Sequence, residues 1–412
     1  MLSQSTESCD HIVKSKKIFL VTLTLMSMAG LVGSDLYLPT LPNIGAALGQ
    51  SSHAMQATLG VYLFGLAIGQ LFLGPISDCY GRKKLLILGM IIYFLSSLSC
   101  ASSFSYYQLI ISRLFQALGA CSGLVIGRAI IGDLYDAKEA GKIFSTIFPF
   151  VGMSPAISPV IGGFIGHYFG WQATFIFIAL FALAVVFLVY FYLTETLLES
   201  KKTTLHIMKI ISTYPKILMD KKFLFYASAP CFAYVAYFAY ISQSPFIFSA
   251  HGFGAREIGM FYVTLSLTYV SGNMVGKALL KKIHINEAIR MGYFAFNIGA
   301  FLLLISGIAH LSLLTMVISI SVLTFGNGFL IPLGTAGVVS SCSKGVGSAS
   351  GLLGFLQLGL ASLSSGFVDA ISQNSIARMG GYLFVITMVG FVVHYYLRPR
   401  ENSSEAALAK TS

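Results

Sequence analysis

Charge is scarce here: 10% of the 412 residues are Asp, Glu, Lys or Arg, against about 25% in soluble globular domains. That excludes a soluble fold. The six cysteines (Cys9, Cys79, Cys100, Cys121, Cys231 and Cys342) form no CxxC pair, so they read as small apolar residues rather than redox or zinc ligands. Eight scattered histidines give no metal spacing either. No Gly-rich phosphate loop carries a lysine, which removes ATP as an energy source. Gly326-Asn327-Gly328 lies inside an apolar run and reads as a packing feature. No facing histidine and carboxylate mark a catalytic constellation. We expect neither an enzyme nor a cofactor.

What the chain has instead is 56% hydrophobic residues, with runs of the roughly 20 residues needed to cross a bilayer along its whole length. The first, 18–38, is too long for a signal-peptide core and is followed by many more spans, so it counts as helix 1. The others are expected at 54–75, 84–102, 106–128, 143–165, 171–193, 223–248, 257–279, 287–308, 311–333, 345–369 and 379–397. The fold class is all-α: an integral membrane protein with twelve transmembrane helices.

The net charge of +11 resides in short loops rather than on one face, so the partner is a lipid bilayer and not nucleic acid. With a cytoplasmic N-terminus, inner loops carry Arg82, Lys83, Lys84; Lys138, Lys142; Lys281, Lys282, Arg290; and Lys344. The polar stretch 194–222 adds Lys201, Lys202, Lys209, Lys216, Lys221 and Lys222, and the tails add Lys14, Lys16, Lys17, Arg398, Arg400 and Lys410. Outer loops carry only Arg256 and Arg378. The divisions are a tail 1–17, a six-helix bundle 18–193, a linker 194–222, a second bundle 223–397 and a tail 398–412. A faint echo of the helix 2–3 turn, at Gly272, Gly276, Lys277, Lys281 and Lys282, makes the bundles pseudo-repeats.

The densest signal is the turn from Gly74 to Lys84. Gly74-Pro75 is expected to end one helix and Gly81 to supply the bend, between the carboxylate of Asp78 and the cations Arg82, Lys83 and Lys84. Ionisable residues inside a span are functional candidates by default. Asp35 lies about 26 Å into helix 1, and Arg113 about 10 Å into helix 4 from its opposite end, so the two are expected at similar depth. Burial and a neighbouring arginine would act on such a carboxylate in opposite senses. The other readings are an interfacial aspartate that ends helix 1 before Pro39 and Pro42, and an arginine that bonds backbone carbonyls. Arg128 is expected near Asp133 and Asp136 at the inner interface, orienting or gating; Asp369 near Arg378 is structural. In helix 7, Tyr234, Tyr237, Phe238 and Tyr240 lie between Pro230 and Gln243 and are candidate pocket walls. In helix 5, Pro155, Ser158, Pro159, Gly162 and Gly163 allow kinking and close helix contact.

Those residues resemble known motifs. Gly74, Asp78, Gly81 and Arg82 match the helix 2–3 loop of the major facilitator superfamily, where the aspartate and arginine latch the two halves on the cytoplasmic face. Asp35-Leu-Tyr37-Leu-Pro39 is similar to the helix 1 signature of its drug:proton antiporters. Arg113-Leu-Phe-Gln116 resembles their helix 4 motif, whose arginine is tied to proton movement. Pro159, Gly162 and Gly163 match the antiporter motif, with Ser158 where a glycine is usual. Gln70, the run from Cys121 to Asp133, and Gly347 to Gln357 look like the Bcr/CflA branch of bacterial inner-membrane exporters, the bicyclomycin and chloramphenicol resistance group. The resemblance implies the major facilitator fold and export of small amphipathic molecules in exchange for protons. It implies a gate at Gly74, Asp78, Gly81, Arg82, Arg128 and Asp133. It also implies a cavity lined by Asp35, Tyr37, Tyr234, Tyr237, Phe238 and Gln357. The partners expected are a small-molecule substrate and protons, without cofactor beyond the proton gradient, in a monomer with both termini cytoplasmic. No second acid stands beside Ser27 and Ser34, which suggests neutral or zwitterionic substrates. An importer on the same fold, a membrane enzyme and a sensor that has lost transport are the rival readings.

Overall fold

The computed structural model describes residues 16–135, 137–197, 212–341, 346–372 and 375–398. Expectations placed on Cys9, Lys14, Asp136, Lys201, Lys202, Lys209, Cys342, Lys344, Arg400 and Lys410 lie outside the described residues. So do those on the side chains of Lys16, Lys138, Lys142 and Asp369.

With no water in a bilayer core, each segment must satisfy its own backbone, and apolar runs of this length do so as helices. They form α1 (Lys16–Asp35), α2 (Ser52–Tyr80), α3 (Arg82–Ala101), α4 (Tyr106–Leu134), α5 (Ala137–Phe169) and α6 (Trp171–Tyr192). After a short helix at Tyr214–Leu218 come α7 (Lys221–Ala250), α8 (Ala255–Leu279), α9 (Ile285–Ile308), α10 (Leu313–Ser341), α11 (Val346–Ser372) and α12 (Ile376–Tyr396). Ten spans are long and apolar enough to cross a membrane, counting Lys17–Leu48 as one; α5 and α8 are the remaining two long helices. Starts are set by side-chain caps: Ser51 accepts from the Ala54 amide at 3.3 Å, Ser105 from Gln108 at 3.2 Å and Asp220 from Lys222 at 2.8 Å.

The two sets of six pack alike. In the first, α3 packs on α4 and α6, α2 on α4, and α1 on α4, α5 and α6; in the second, α9 packs on α10 and α12, α8 on α10, and α7 on α10, α11 and α12. The halves join along two seams, α2 with α11 and α5 with α8. This leaves α1, α4, α7 and α10 as inner helices. The apolar core of α7 is 72% buried, against 28% for the peripheral α12.

At the α5–α8 seam the backbones nearly touch. Gly162 lies against the Leu36 carbonyl just beyond α1, and an added methyl at Gly163 or Gly259 would sit 2.5 Å from the carbonyl oxygen of Ala255 or Pro159. Of the glycines expected to allow close contact, Gly163 does so between the halves and Gly162 within the first.

Two boundaries differ from expectation. Helix 1 stops at Asp35 rather than 38, because the chain turns into a 3-10 segment at Leu38–Thr40 and a short helix at Leu41–Leu48, each opened by a proline. Gly74-Pro75 does not end α2, which runs on to Tyr80. Pro75 withholds the amide that would bond the Leu71 carbonyl four residues back, and the Tyr214 hydroxyl donates to that carbonyl instead at 3.1 Å. The bend is Gly81 alone, at φ 97°.

This repair is testable by a double-mutant cycle. Tyr214→Phe is expected to cost about 1 kcal/mol of stability in detergent and clearly less in a Pro75→Ala background, where a backbone amide refills the Leu71 carbonyl. Equal losses in both backgrounds would refute the repair.

Candidate functional site

Two clusters of polar side chains lie in the first half, one at each end of its inner helices.

The first closes around Arg113, which is fully buried. Its guanidinium sits between the rings of Tyr37 and Tyr62, 4.0 Å from each centroid, with Phe175 at 5.9 Å. Nη1 donates to the Gly33 carbonyl at 2.8 Å and to Gln116 Oε1 at 2.5 Å. Two faces of π density and two oxygens replace part of the hydration that the cation gives up, with Nε and Nη2 left without hydrogen-bond partners, and a desolvated cation–π contact of this kind contributes about 2 kcal/mol or more. Tyr62 and Tyr93 fasten the end of α1 by donating to the Gly30 and Ala29 carbonyls, each at 2.9 Å.

Asp35 stands two residues beyond the carbonyl that Arg113 holds, itself at 0% exposure. Ser34 donates to its Oδ1 at 2.9 Å, and Oδ2 has no hydrogen-bond partner. The structure therefore brings Asp35 and Arg113 together at one depth, as the sequence suggested, but through the backbone of Gly33. Among the described residues they make no direct ion pair. The aspartate does end its helix, yet it is buried rather than interfacial; the arginine does bond a carbonyl.

Of the expected cavity residues, Tyr234, Tyr237 and Gln357 are half-buried, whereas Tyr37 and Phe238 are buried. Tyr37 belongs to the Arg113 enclosure and pairs with the Thr58 hydroxyl at 3.2 Å. It is not a cavity wall, because the turn after Asp35 swings it onto the guanidinium. Phe238 backs Tyr237 edge-on at 5.2 Å and packs on Tyr234 at 5.8 Å.

The second cluster surrounds Arg82, the first residue of α3. It pairs with Asp78 at 2.5 Å and Asp133 at 2.9 Å and donates to Ser77 Oγ. Its own amide and that of Lys83 donate to the Glu195 carboxylate at 2.9 and 3.2 Å, so an acid just past α6 caps α3. A Cβ on Gly81 would lie 2.6 Å from Glu195 Oε2. Glycine is required there twice over, by φ and by this close approach.

Two expectations change here. The ion pairs of Asp78 and Arg82 lie within the first half, so in this state they do not latch the two halves together. At this end α2 meets the second half through Gln70, whose side chain lies against Gly354, and the linker through Tyr214. Arg128 is not paired with Asp133, which Arg82 takes. Five residues turn an α-helix by about 140°, so the two side chains leave α4 on different sides. The sequence marks Glu195 only as an acid at the end of an apolar run, beside a stretch whose dominant feature is its lysines. Among the described residues, no cluster of His, Cys, Asp or Glu could hold a metal.

Two six-helix halves joined along two seams, with buried charge on their inner helices, define a multi-pass membrane transporter. Residues 23–365 match the Major Facilitator Superfamily, and the chain belongs to that family. It is 30% identical to the "Uncharacterized MFS-type transporter YdgK" of Bacillus subtilis (strain 168), over 91% of this chain and 94% of that protein. It is 25% identical to the "Bicyclomycin resistance protein homolog" of Haemophilus influenzae, over 95% and 98%, in keeping with the Bcr/CflA branch that its motifs resemble. In fold it is similar to the crystal structure of a D-xylose-proton symporter, with a TM-score of 0.75 and 15% identity over 93% of this chain and 98% of the other.

Removing the carboxylate that caps α3 is expected to loosen its first turn. In Glu195→Gln, amide exchange at residues 82–85 should quicken about two- to fivefold, for a loss of about 0.3–1 kcal/mol. Unchanged exchange would contradict the cap.

Proposed function

We propose that the protein exports drugs or other small amphipathic molecules across the bacterial inner membrane in exchange for protons. One observation carries this reading: a buried carboxylate, Asp35, with one oxygen bonded to Ser34 and the other without a partner, beside an arginine held at Gly33. A carboxylate out of water either takes a proton or finds a cationic or hydrogen-bond-donating ligand. Those two occupants exclude each other, and that exclusion is the coupling step of an antiporter.

In the proposed cycle Asp35 takes a proton while facing outward. The halves then rock about their inner helices, and a substrate entering from the cytoplasm displaces the proton. Arg113 tunes the exchange electrostatically and mechanically, because its grip on Gly33 moves with the end of α1. The cluster of Asp78, Arg82, Asp133 and Glu195 would hold α2, α3, α4 and the end of α6 as one gate unit, with both termini on that cytoplasmic side. The bicyclomycin resistance homologue supports export of this kind. A monomer suffices, without cofactor, and the bundles 18–193 and 223–397 would be the two moving parts.

The reading is tested in everted membrane vesicles carrying an acidic lumen. Chloramphenicol should dissipate the pH gradient with the wild type and not with Asp35→Asn at equal abundance. Dissipation by the variant at the wild-type rate would overturn it. For the gate, Asp78→Asn is expected to insert normally and to transport about tenfold more slowly, since it frees Arg82 from one of its two carboxylates. Normal transport would remove Asp78 from the gate.

A further inference from the structure

A second unmatched charge lies on the inner helices. Arg128 of α4 is half-buried, its Nε is buried without a hydrogen-bond partner, and among the described residues it makes no ion pair. A cation withdrawn from water carries a cost and needs a partner. Arg82 and Arg113 offset such a cost with carboxylates, rings and carbonyls; Arg128 has none of these.

Its position relative to Asp35 can be fixed. Gly127 packs on α1 at Met26 and Ser27, where an added Cβ would lie 3.4 Å from Ser27 Oγ. Ser27 precedes Asp35 by eight residues, about 12 Å along the helix axis. Tyr234 of α7 lies within electrostatic reach of both Arg128 and Asp35. Tyr237 and Tyr262 also lie within reach of Asp35. An unpartnered carboxylate oxygen, the half-buried phenols of Tyr234 and Tyr237 and a guanidinium with an unpartnered Nε thus lie on neighbouring inner helices.

We infer that this array reads a dipolar substrate: an aromatic or amphipathic molecule with a cationic or hydrogen-bond-donating group at Asp35 and an anionic or strongly accepting group, such as a carboxylate, at Arg128. The inference rests on the exporter reading and deepens it by naming the substrate class. A positive end alone would leave Arg128 unmatched, and a negative end alone would leave Asp35 unmatched. A zwitterion with its two charges at opposite ends of an aromatic body matches both, with its ring against Tyr234 and Tyr237. The cationic end displaces the proton from Asp35, so one proton enters for each net-neutral zwitterion exported and one net positive charge moves inward per exchange.

The probes are ciprofloxacin, an aromatic zwitterion at neutral pH, and its ethyl ester, which keeps the amine and loses the carboxylate. Binding to the purified full-length protein should favour ciprofloxacin by about tenfold or more, the worth of one charge-assisted hydrogen bond. Arg128→Gln should abolish that preference, and Arg128→Lys should keep part of it, which separates lost charge from lost packing. Melting temperatures of the variants verify folding. Equal affinity of the wild type for both probes, or an undiminished preference in Arg128→Gln, would overturn the inference. Chloramphenicol-driven dissipation of the gradient in the same vesicles tells the two failures apart. If it persists without a zwitterion preference, only the substrate class is wrong; if it too is absent, the exporter reading falls and takes the inference with it.

Discussion

The arrangement depends first on how one buried guanidinium is held. Among the described residues Arg113 pairs with no carboxylate, and it is kept in place by two tyrosine rings and the carbonyl of Gly33. That solution fixes much else. Helix α1 must end where it does, so that the following turn can carry Tyr37 onto the cation. Residue 33 must be glycine, since a Cβ there would collide with the hydroxyl of Tyr62 and lie 2.9 Å from that of Tyr93. Asp35 is then left beside a positive charge that it does not neutralise by contact. An ion pair would hold the carboxylate in one state; an arginine anchored elsewhere leaves it free to trade a proton for a ligand.

The opposite end of the same helices is organised around a different balance. Arg82 is saturated by Asp78, Asp133 and Ser77, and the Glu195 carboxylate lies on its amide. Those contacts tie four segments of one half together and leave the seams between halves to close backbone packing at Gly163 and Gly259 and to the bond from the Ser362 hydroxyl to the Gly60 carbonyl. The buried charges of Arg113 and Arg82 thus consolidate each end within a half, whereas small residues, single hydrogen bonds and the Arg256 guanidinium over the Phe164 ring carry the contacts that a rocking motion must remake. Contacts worth about 1 kcal/mol each bias such an equilibrium without locking it.

Much of this was legible in the chain. Twelve helices follow from apolar runs and the alternation of basic loops, and the depth of Asp35 and Arg113 follows from counting residues along two antiparallel helices. Other features were not. Glu195 meets Arg82 across 113 positions, and no local pattern announces a cap supplied from so far away. Tyr62 carries no motif, and its role appears only when α2 is laid against α1. Gly74-Pro75 looked like a helix end because the sequence shows the missing donor but not the Tyr214 hydroxyl that replaces it. Arg128 and Asp133 are neighbours in sequence, and helical geometry sends them apart.

The central claim is that substrate and proton compete for Asp35. It is tested most directly by counting protons released from the purified protein, in weakly buffered detergent solution, when chloramphenicol is added. The account predicts release by the wild type, about one proton per protein at saturation, and none by Asp35→Asn with binding still measurable. Equal release from both proteins would place the coupling proton elsewhere and reduce Asp35 to a buried helix end.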